Sequence, residues 1–259
     1  MLPASVCSEP TSNCKCCGQT ARLFDVCDFN KSCEEVRGTF LPYSGIPVYY
    51  YKCSQCGFIF TRIFDDFRDE DFVKHIYNEA YVTVDPDFER VRPQKMAELV
   101  NDLFSGAKRD LAVLDYGGGD GYFAERLSAA GFKSVVNYEP FFGKPVADIG
   151  GDYNLITCFE VVEHATDPHK IFSDMASVLD QDNGMILFST ALTPPEIDVL
   201  KTAWWYIGPR NGHISIHTER SLGAVLSRLG LRMFSANKNY HFAFKRVPAF
   251  ASHLPISGV

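Results

Sequence analysis

At 259 residues, with 46% hydrophobic and 22% charged side chains, the chain can bury a sizeable core and needs no disulfide staples. A formal charge of -7 and a pI near 5.5 argue against nucleic-acid partners and against anionic membrane surfaces. No apolar run approaches the roughly 18 residues of a membrane span, and residues 1–12 are polar, rich in Pro and Ser, and carry no signal-peptide core. A cytoplasmic protein is therefore expected. Its nine cysteines, an odd number in a reducing compartment, favour metal binding over disulfides.

Residues 1–12 read as a disordered leader, and 1–63 as a zinc-ribbon lobe. Cys14-Lys15-Cys16-Cys17-Gly18 and Cys53-Ser54-Gln55-Cys56-Gly57 each hold a C-x-x-C pair followed by the glycine that suits a tight knuckle. Two such knuckles present Cys14, Cys17, Cys53 and Cys56 as four thiolates to one tetrahedral Zn2+ with a structural role. About 35 residues separate the pairs, longer than the usual spacing, so an insertion between knuckles is implied. Cys27 and Cys33 in that gap are rival ligands, Cys16 competes locally, and a set of free buried thiols is the alternative reading. Up to Arg62 the lobe carries six basic and five acidic residues, which is no basic stripe for gripping nucleic acid. Ile46–Tyr51 and Phe58–Phe60 read as its strands.

Residues 64–108 read as a helical linker or lid, because Phe67, Phe72, Ile76 and then Met96, Leu99, Val100 and Leu103 recur at near-helical spacing. Pro86 and Pro93 divide it into two or three helices. Tyr77 and Tyr81 are either lid residues or core.

From residue 109 to 247 strands alternate with helices. Strands are expected at 111–115, 134–140, 153–159 and 184–190, helices at 122–127, 167–179 and 221–229, and a closing hairpin at 233–236 and 241–245. This is the pattern of an α/β fold with a mostly parallel sheet covered on both faces. Residues 248–259 read as a loose tail.

The organising stretch is Leu111-Ala112-Val113-Leu114-Asp115-Tyr116-Gly117-Gly118-Gly119-Asp120-Gly121, a strand ending in an acid and a glycine-crowded turn that opens a helix. Such a turn lets backbone N–H groups approach a nucleotide-like ligand at a helix N-terminus. Gly119-x-Gly121-x-x-Ala124 satisfies the hydride-carrier fingerprint. The earlier Asp115 and Gly117 fit instead a cofactor with a carboxylate and an ammonium group near the turn. Glu139, closing the second strand, can accept both ribose hydroxyls of either cofactor class.

At these residues the chain resembles the class I S-adenosylmethionine-dependent methyltransferases. Val113–Gly121 is similar to their first motif, Tyr138-Glu139-Pro140 to the acidic end of their second strand, and Phe159-Glu160-Val161-Val162-Glu163-His164 to the run after their fourth strand. The N-terminal knuckles look like the zinc lobe of a bacterial subgroup that includes sugar C-methyltransferases, and the extra C-terminal domain of those enzymes is not expected here. The resemblance implies a Rossmann-like, seven-stranded sheet. It implies that Gly117 and Gly119 lie against the methionine part of the cofactor, that Asp115 reaches its ammonium group and that Glu139 holds its ribose. Phe159 and Glu160 would add backbone contacts, and Asp148, or the backbone of Ile149, would meet the adenine edge.

Methyl transfer from an activated sulfonium needs an aligned acceptor and a base for its proton. Histidine is the simplest base near neutral pH, and His213, His164 and His217 are the candidates in that order. His213 lies in the long connection Leu192–His217, which Trp204, Trp205 and Tyr206 line with aromatic surface; in related methyltransferases a His at this place lies over the acceptor. Tyr206 would orient a hydroxyl and Arg210 would hold an anionic group of the acceptor, while His217 bounds the helix that follows. The expected activity is methyl transfer to a small polar metabolite, such as a sugar or sugar nucleotide. An RNA methyltransferase, a non-catalytic zinc-ribbon binding protein with a vestigial pocket and a nicotinamide oxidoreductase are the rivals.

Overall fold

A computed structural model describes residues 10–141 and 144–256. The leader expected at 1–12 lies outside the described residues up to residue 9, whereas Thr11 and Ser12 belong to a strand. In chain order the elements are β1 (Thr11–Asn13), β2 (Thr20–Asp28), β3 (Pro47–Cys53), β4 (Ile59–Thr61), α1 (Asp69–His75), α2 (Tyr81–Val84) and α3 (Val91–Phe104). There follow β5 (Ala112–Tyr116), α4 (Tyr122–Ala129), β6 (Ser134–Tyr138), β7 (Leu155–Cys158), α5 (Pro168–Ser177) and β8 (Met185–Ser189). The chain ends with α6 (Ile197–Leu200), β9 (Ser215–Ile216), α7 (Glu219–Leu226), β10 (Arg232–Ser235) and β11 (Tyr240–Phe244).

The chain forms two compact units that interleave along the sequence. Over their described residues, one draws on Met1–Pro86, Glu163–Pro168 and Ala191–Ala224, the other on Asp87–Val162, His169–Thr190 and Val225–Val259.

The first unit is built on an antiparallel sheet in the order β1-β2-β3-β4-β9. The aromatic run of β3 is largely buried: Tyr50 and Tyr51 are both covered, and Tyr51 faces Phe60 across the ladder. Ile59 and Phe60 pair in turn with Ile216 and Ser215. A strand this short has no readable periodicity, so β9 emerges from the long 192–217 connection only because β4 offers an edge. Phe29, Phe64, Phe67 and Phe72 form a ring cluster with centroids 4.9–6.0 Å apart, which anchors α1. Acids open α1 and Lys74 and His75 close it, in keeping with its dipole.

The second unit holds a mixed sheet in the order β10-β11-β8-β7-β5-β6, with β6, β5, β7 and β8 parallel and the terminal hairpin antiparallel. Every residue of β7 and β8 is buried, as a parallel strand covered on both faces requires. Among the described residues the sheet has six strands rather than the expected seven. Between β6 and β7 the described chain forms only a short 3-10 turn at Val146–Ile149, in a stretch broken by Pro140, Pro145 and several glycines. Pro93 does not divide a helix as expected. It sits in the first turn of α3, where an N–H would have no intrahelical acceptor.

The core joins Val113, Leu155, Met185, Leu187, Phe242 and Phe244 of the sheet to Val100 and Phe104 of α3 and Phe123 and Leu127 of α4. The segment read as a loose tail contributes too: Ala251 is fully buried, and Phe250, Leu254 and Ile256 pack against this core. Phe250 meets Phe104 edge to face at 5.7 Å. Phe104→Ala should therefore cost about 3–5 kcal/mol in urea unfolding, and a loss below about 0.5 kcal/mol, within the range of a surface change, would reject this packing.

Candidate functional site

The two cysteine knuckles have the same backbone design. Gly18 N–H returns to Cys14 O at 2.9 Å and Gly57 N–H to Cys53 O at 3.0 Å, with both glycines in the left-handed region at φ 77° and 75°. Pairing of β2 with β3 places Ala21 opposite Cys53 and so brings the knuckles together. The sulfurs of Cys14, Cys17, Cys53 and Cys56 all lie within 4.8 Å of one another, with Cys14–Cys56 and Cys17–Cys53 at 3.5 Å. Tetrahedral zinc with Zn–S bonds of about 2.3 Å places its sulfurs about 3.8 Å apart, so the set fits a four-cysteine metal centre. Hydrogen bonds from Cys16 and then Cys56 hold the Cys14 thiol well below the usual thiol range, and the same Cys14 contact, with burial, pushes Cys56 up. Cys16 is fully buried but outside the set, and burial pushes its thiol up. Burial likewise pushes Cys27 up to about 12, and Cys33 lies elsewhere, beside His213.

In the second unit, Asp115 is buried at the carboxyl end of β5, between β6 and β7 where the strand order reverses. Its Oδ1 accepts a hydrogen bond from Thr157 Oγ1 at 3.0 Å, and its Oδ2 has no hydrogen-bond partner among the described residues. Burial pushes this carboxyl up to about 7, with the Thr157 hydrogen bond opposing and the Glu139 charge adding. A cationic ligand would supply the missing partner.

The glycines are sterically required. A Cβ on Gly117 would stand 2.5 Å from Val161 Cγ2, and one on Gly118 about 2 Å from both Asn137 Oδ1 and Asp115 Oδ2. Gly117 N–H and Gly118 N–H donate to Tyr138 O at 2.7 and 3.3 Å, which ties the turn to the end of β6. Glu139 accepts from Gly119 N–H at 3.1 Å and from Phe141 N–H at 3.2 Å. Asn137 donates from Nδ2 to Gly119 O at 3.2 Å; sequence reasoning missed it, because an Asn two residues before the ribose acid has no recognisable signature. Glu160 holds a left-handed φ of 55°, stabilised by reciprocal bonds with Ser189: its N–H donates to Oγ at 2.8 Å and its Oε1 accepts from Oγ at 2.7 Å. Phe159 packs on Phe123 and Tyr240. Asp148 is exposed, and among the described residues it makes no hydrogen bond or ion pair with the glycine turn. Asp115 Oδ2, without a hydrogen-bond partner among the described residues, and the close backbone approach at Gly117 and Gly118 suit a ligand that brings a cationic group to this turn.

In the first unit the histidines converge. Pairing of β9 with β4 fixes the segment before it: Thr61 N–H donates to Ile214 O at 3.1 Å, and Ile214 N–H to Glu163 O at 2.9 Å. Tyr50, fully buried, donates to His213 O at 2.8 Å. His213 Nδ1 lies 2.8 Å from Tyr206 O and His164 Nδ1 3.1 Å from Gly212 O. A carbonyl only accepts, so both Nδ1 atoms carry the proton and both Nε2 atoms keep a lone pair when neutral. The two rings stand 4.9 Å apart at 76°. Tyr206 meets the His213 ring edge to face at 4.3 Å and donates to Glu163 Oε1 at 2.7 Å, so Glu163, which was not singled out from sequence, joins the cluster. Gly212 is left-handed at φ 83°, and a Cβ there would stand 3.0 Å from His164 Nδ1.

Tyr77 and Tyr81 meet edge to face at 5.2 Å, and Tyr77 meets the His164 ring at 6.0 Å. Arg210 is buried and spends its guanidinium on Ile76 O at 2.8 Å and Asn78 Oδ1 at 3.0 Å; it braces the turn. His217 is fully buried, packs on Phe58 at 4.8 Å and lies just before the Thr218 and Ser221 exchange that caps α7. Trp204 is buried and Trp205 is 46% exposed.

No helix among the described residues is long and apolar enough to cross a membrane. A family model described as a methyltransferase domain matches residues 88–236. No curated protein sequence matches the chain. An O-methyltransferase family protein from Burkholderia thailandensis has a similar fold, with a TM-score of 0.50 at 13% identity over 71% of this chain. The match spans 64% of that protein, less than two thirds of its length. Human N-acetylserotonin methyltransferase, solved with SAM, gives a TM-score of 0.44 at 15% identity over 69% of this chain and 62% of that one. YcgJ of Bacillus subtilis gives 0.42 at 18% identity over 56% and 71%. At these identities the likeness is one of fold.

Two measurements probe these centres. Purified protein should carry about one zinc per chain by elemental analysis, lost in Cys53→Ser; a stable, metal-free wild type would reject the four-cysteine centre. For Asp115, the folded carboxyl near 7 lies above its ordinary value of about 3.9. The proton it retains stabilises the fold below about pH 4, and that contribution disappears as pH rises through about 7. S-adenosylhomocysteine, which needs the ionised carboxylate, should bind the wild type about tenfold more weakly per pH unit below about 7, and Asp115→Asn without that slope. Equal slopes by calorimetry would remove Asp115 from the ammonium site.

Proposed function

Because the chain belongs to the methyltransferase-domain family, we propose that it transfers a methyl group from S-adenosylmethionine to a small polar acceptor, with sugars and sugar nucleotides the first to test. The observation that carries this reading is the buried Asp115 carboxylate, whose Oδ2, without a hydrogen-bond partner among the described residues, stands at a turn where Gly117 and Gly118 leave no room for a Cβ. A nicotinamide pyrophosphate is a poor occupant there, because two anions would meet at a desolvated carboxylate. A cofactor carrying an ammonium and a sulfonium is the complementary choice. Gly117, Gly119, Glu139, Phe159 and Glu160 are assigned to the same ligand, and Asp148 to its adenine edge.

The cofactor supplies an activated methyl group, so the protein must align the acceptor and take its proton. We assign the proton to Nε2 of His213. Its ring is held by the Tyr206 carbonyl on Nδ1 and by the Tyr206 ring set edge to face against it. His164, with the same tautomer imposed by Gly212, is the second candidate. Tyr206 and the buried Glu163 form the polar wall beside them, and Tyr206 is assigned to steer an acceptor hydroxyl. The four-cysteine centre is assigned a structural Zn2+ that folds the cysteine lobe.

S-adenosylhomocysteine should raise the melting temperature where NAD does not, and the reverse would overturn the cofactor assignment. With an acceptor found by release of S-adenosylhomocysteine from a metabolite panel, His213→Ala should keep cofactor binding and lose about 10²–10⁴ in kcat. Full turnover by that variant, together with loss in His164→Ala, would move the base to His164.

A further inference from the structure

We propose that a cleft beside the second cysteine knuckle binds a compact phosphate-bearing molecule. The cleft, of about 500 Å³, lies in the first unit and is separate from the histidine cluster in its lining residues. That volume falls within the range of small-ligand sites. Arg22 of β2, Lys52 of β3 and Arg220 of α7 line it beside the knuckle residue Cys53, with the Asp198 carboxylate on Lys52, in a chain of net charge -7. The two guanidinium groups are what would draw an anion into it.

The cations are arranged for use. Arg22 and Arg220 are exposed, and neither has a carboxylate partner among the described residues. Guanidinium forks match phosphate oxygens two at a time. Lys52 pairs with Asp198 and stands 5.6 Å from the centre of the Phe24 ring, which also lines the cleft. That contact holds the ammonium beside the ring.

The cleft is also braced. Thr218 Oγ1 donates to Cys56 O at 2.6 Å, and Thr218 Cγ2 lies where a Cβ on Gly57 would reach 3.0 Å. These contacts stitch the knuckle to the start of α7 and set Arg220 near Ser54 and Gly57. The lobe has no wider basic stripe, so the occupant is a small anion rather than a polynucleotide.

The test is calorimetric titration of the zinc-loaded full chain with inorganic pyrophosphate at low salt. One site per chain is expected, with Kd raised tenfold or more in Arg22→Gln/Arg220→Gln and unchanged in Lys238→Gln, an exposed residue of the other unit. Both arginine side chains are exposed, so the double variant should keep its wild-type circular dichroism. A nucleoside-diphosphate sugar binding far more tightly than pyrophosphate would assign the site to a phosphorylated metabolite; equal affinity would assign it to free phosphates. No pyrophosphate binding by wild type, an unchanged Kd in the double variant, or displacement by a short single-stranded RNA that binds more tightly through the same arginines would overturn the proposal.

Discussion

The first unit depends on a short backbone pairing, that of Ile59 and Phe60 with Ile216 and Ser215. Through it the cysteine lobe and the late connection before α7 become one sheet. The histidine cluster hangs on the same ladder. Ile214 bridges Thr61 on one side and Glu163 on the other, and His213 is held by Tyr50 from the neighbouring strand. Removing the ladder would leave His213, Tyr206 and Glu163 without a common frame, since they come from segments far apart in the chain.

The second unit rests on a different constraint, the burial of one carboxylate where backbone crowds against it. Asp115 and Asn137 leave no volume for a side chain at Gly118, and Val161 leaves none at Gly117. The turn is thereby held close to the strand ends, with its N–H groups bound to Tyr138 O and Glu139. A buried acid without a full set of partners is costly, and proteins retain such groups at binding sites, where a ligand completes them.

Much of this was legible in the chain. Glycine spacing after Asp115 located the crowded turn between β5 and α4, because at Gly117 only glycine tolerates both the left-handed φ and the close approach. The paired C-x-x-C-G knuckles located the sulfur cluster, because a fixed local geometry puts each pair on one side of a turn. The choice among rival cysteines was not legible. Cys27 and Cys33 differ from the knuckle residues only in where β2 and the following turn carry them. Glu163 escaped notice as a member of the histidine cluster, since an acid before a histidine has no signature until Tyr206 is brought to it. Arg210 looked available for an anion, and only packing showed its guanidinium occupied by Ile76 and Asn78.

By itself the sequence determined the features that depend on local chemistry: the two knuckles, the strand–turn–helix at Asp115, the alternation that makes an α/β fold and the closing hairpin. Tertiary structure alone decided the number of sheet strands, the partner of β9, the packing of residues 248–256 and the composition of the histidine cluster. The division has a physical cause. Turn and strand preferences act over a few residues, whereas edge pairing, shared burial and hydrogen bonds between distant segments are properties of the assembled chain.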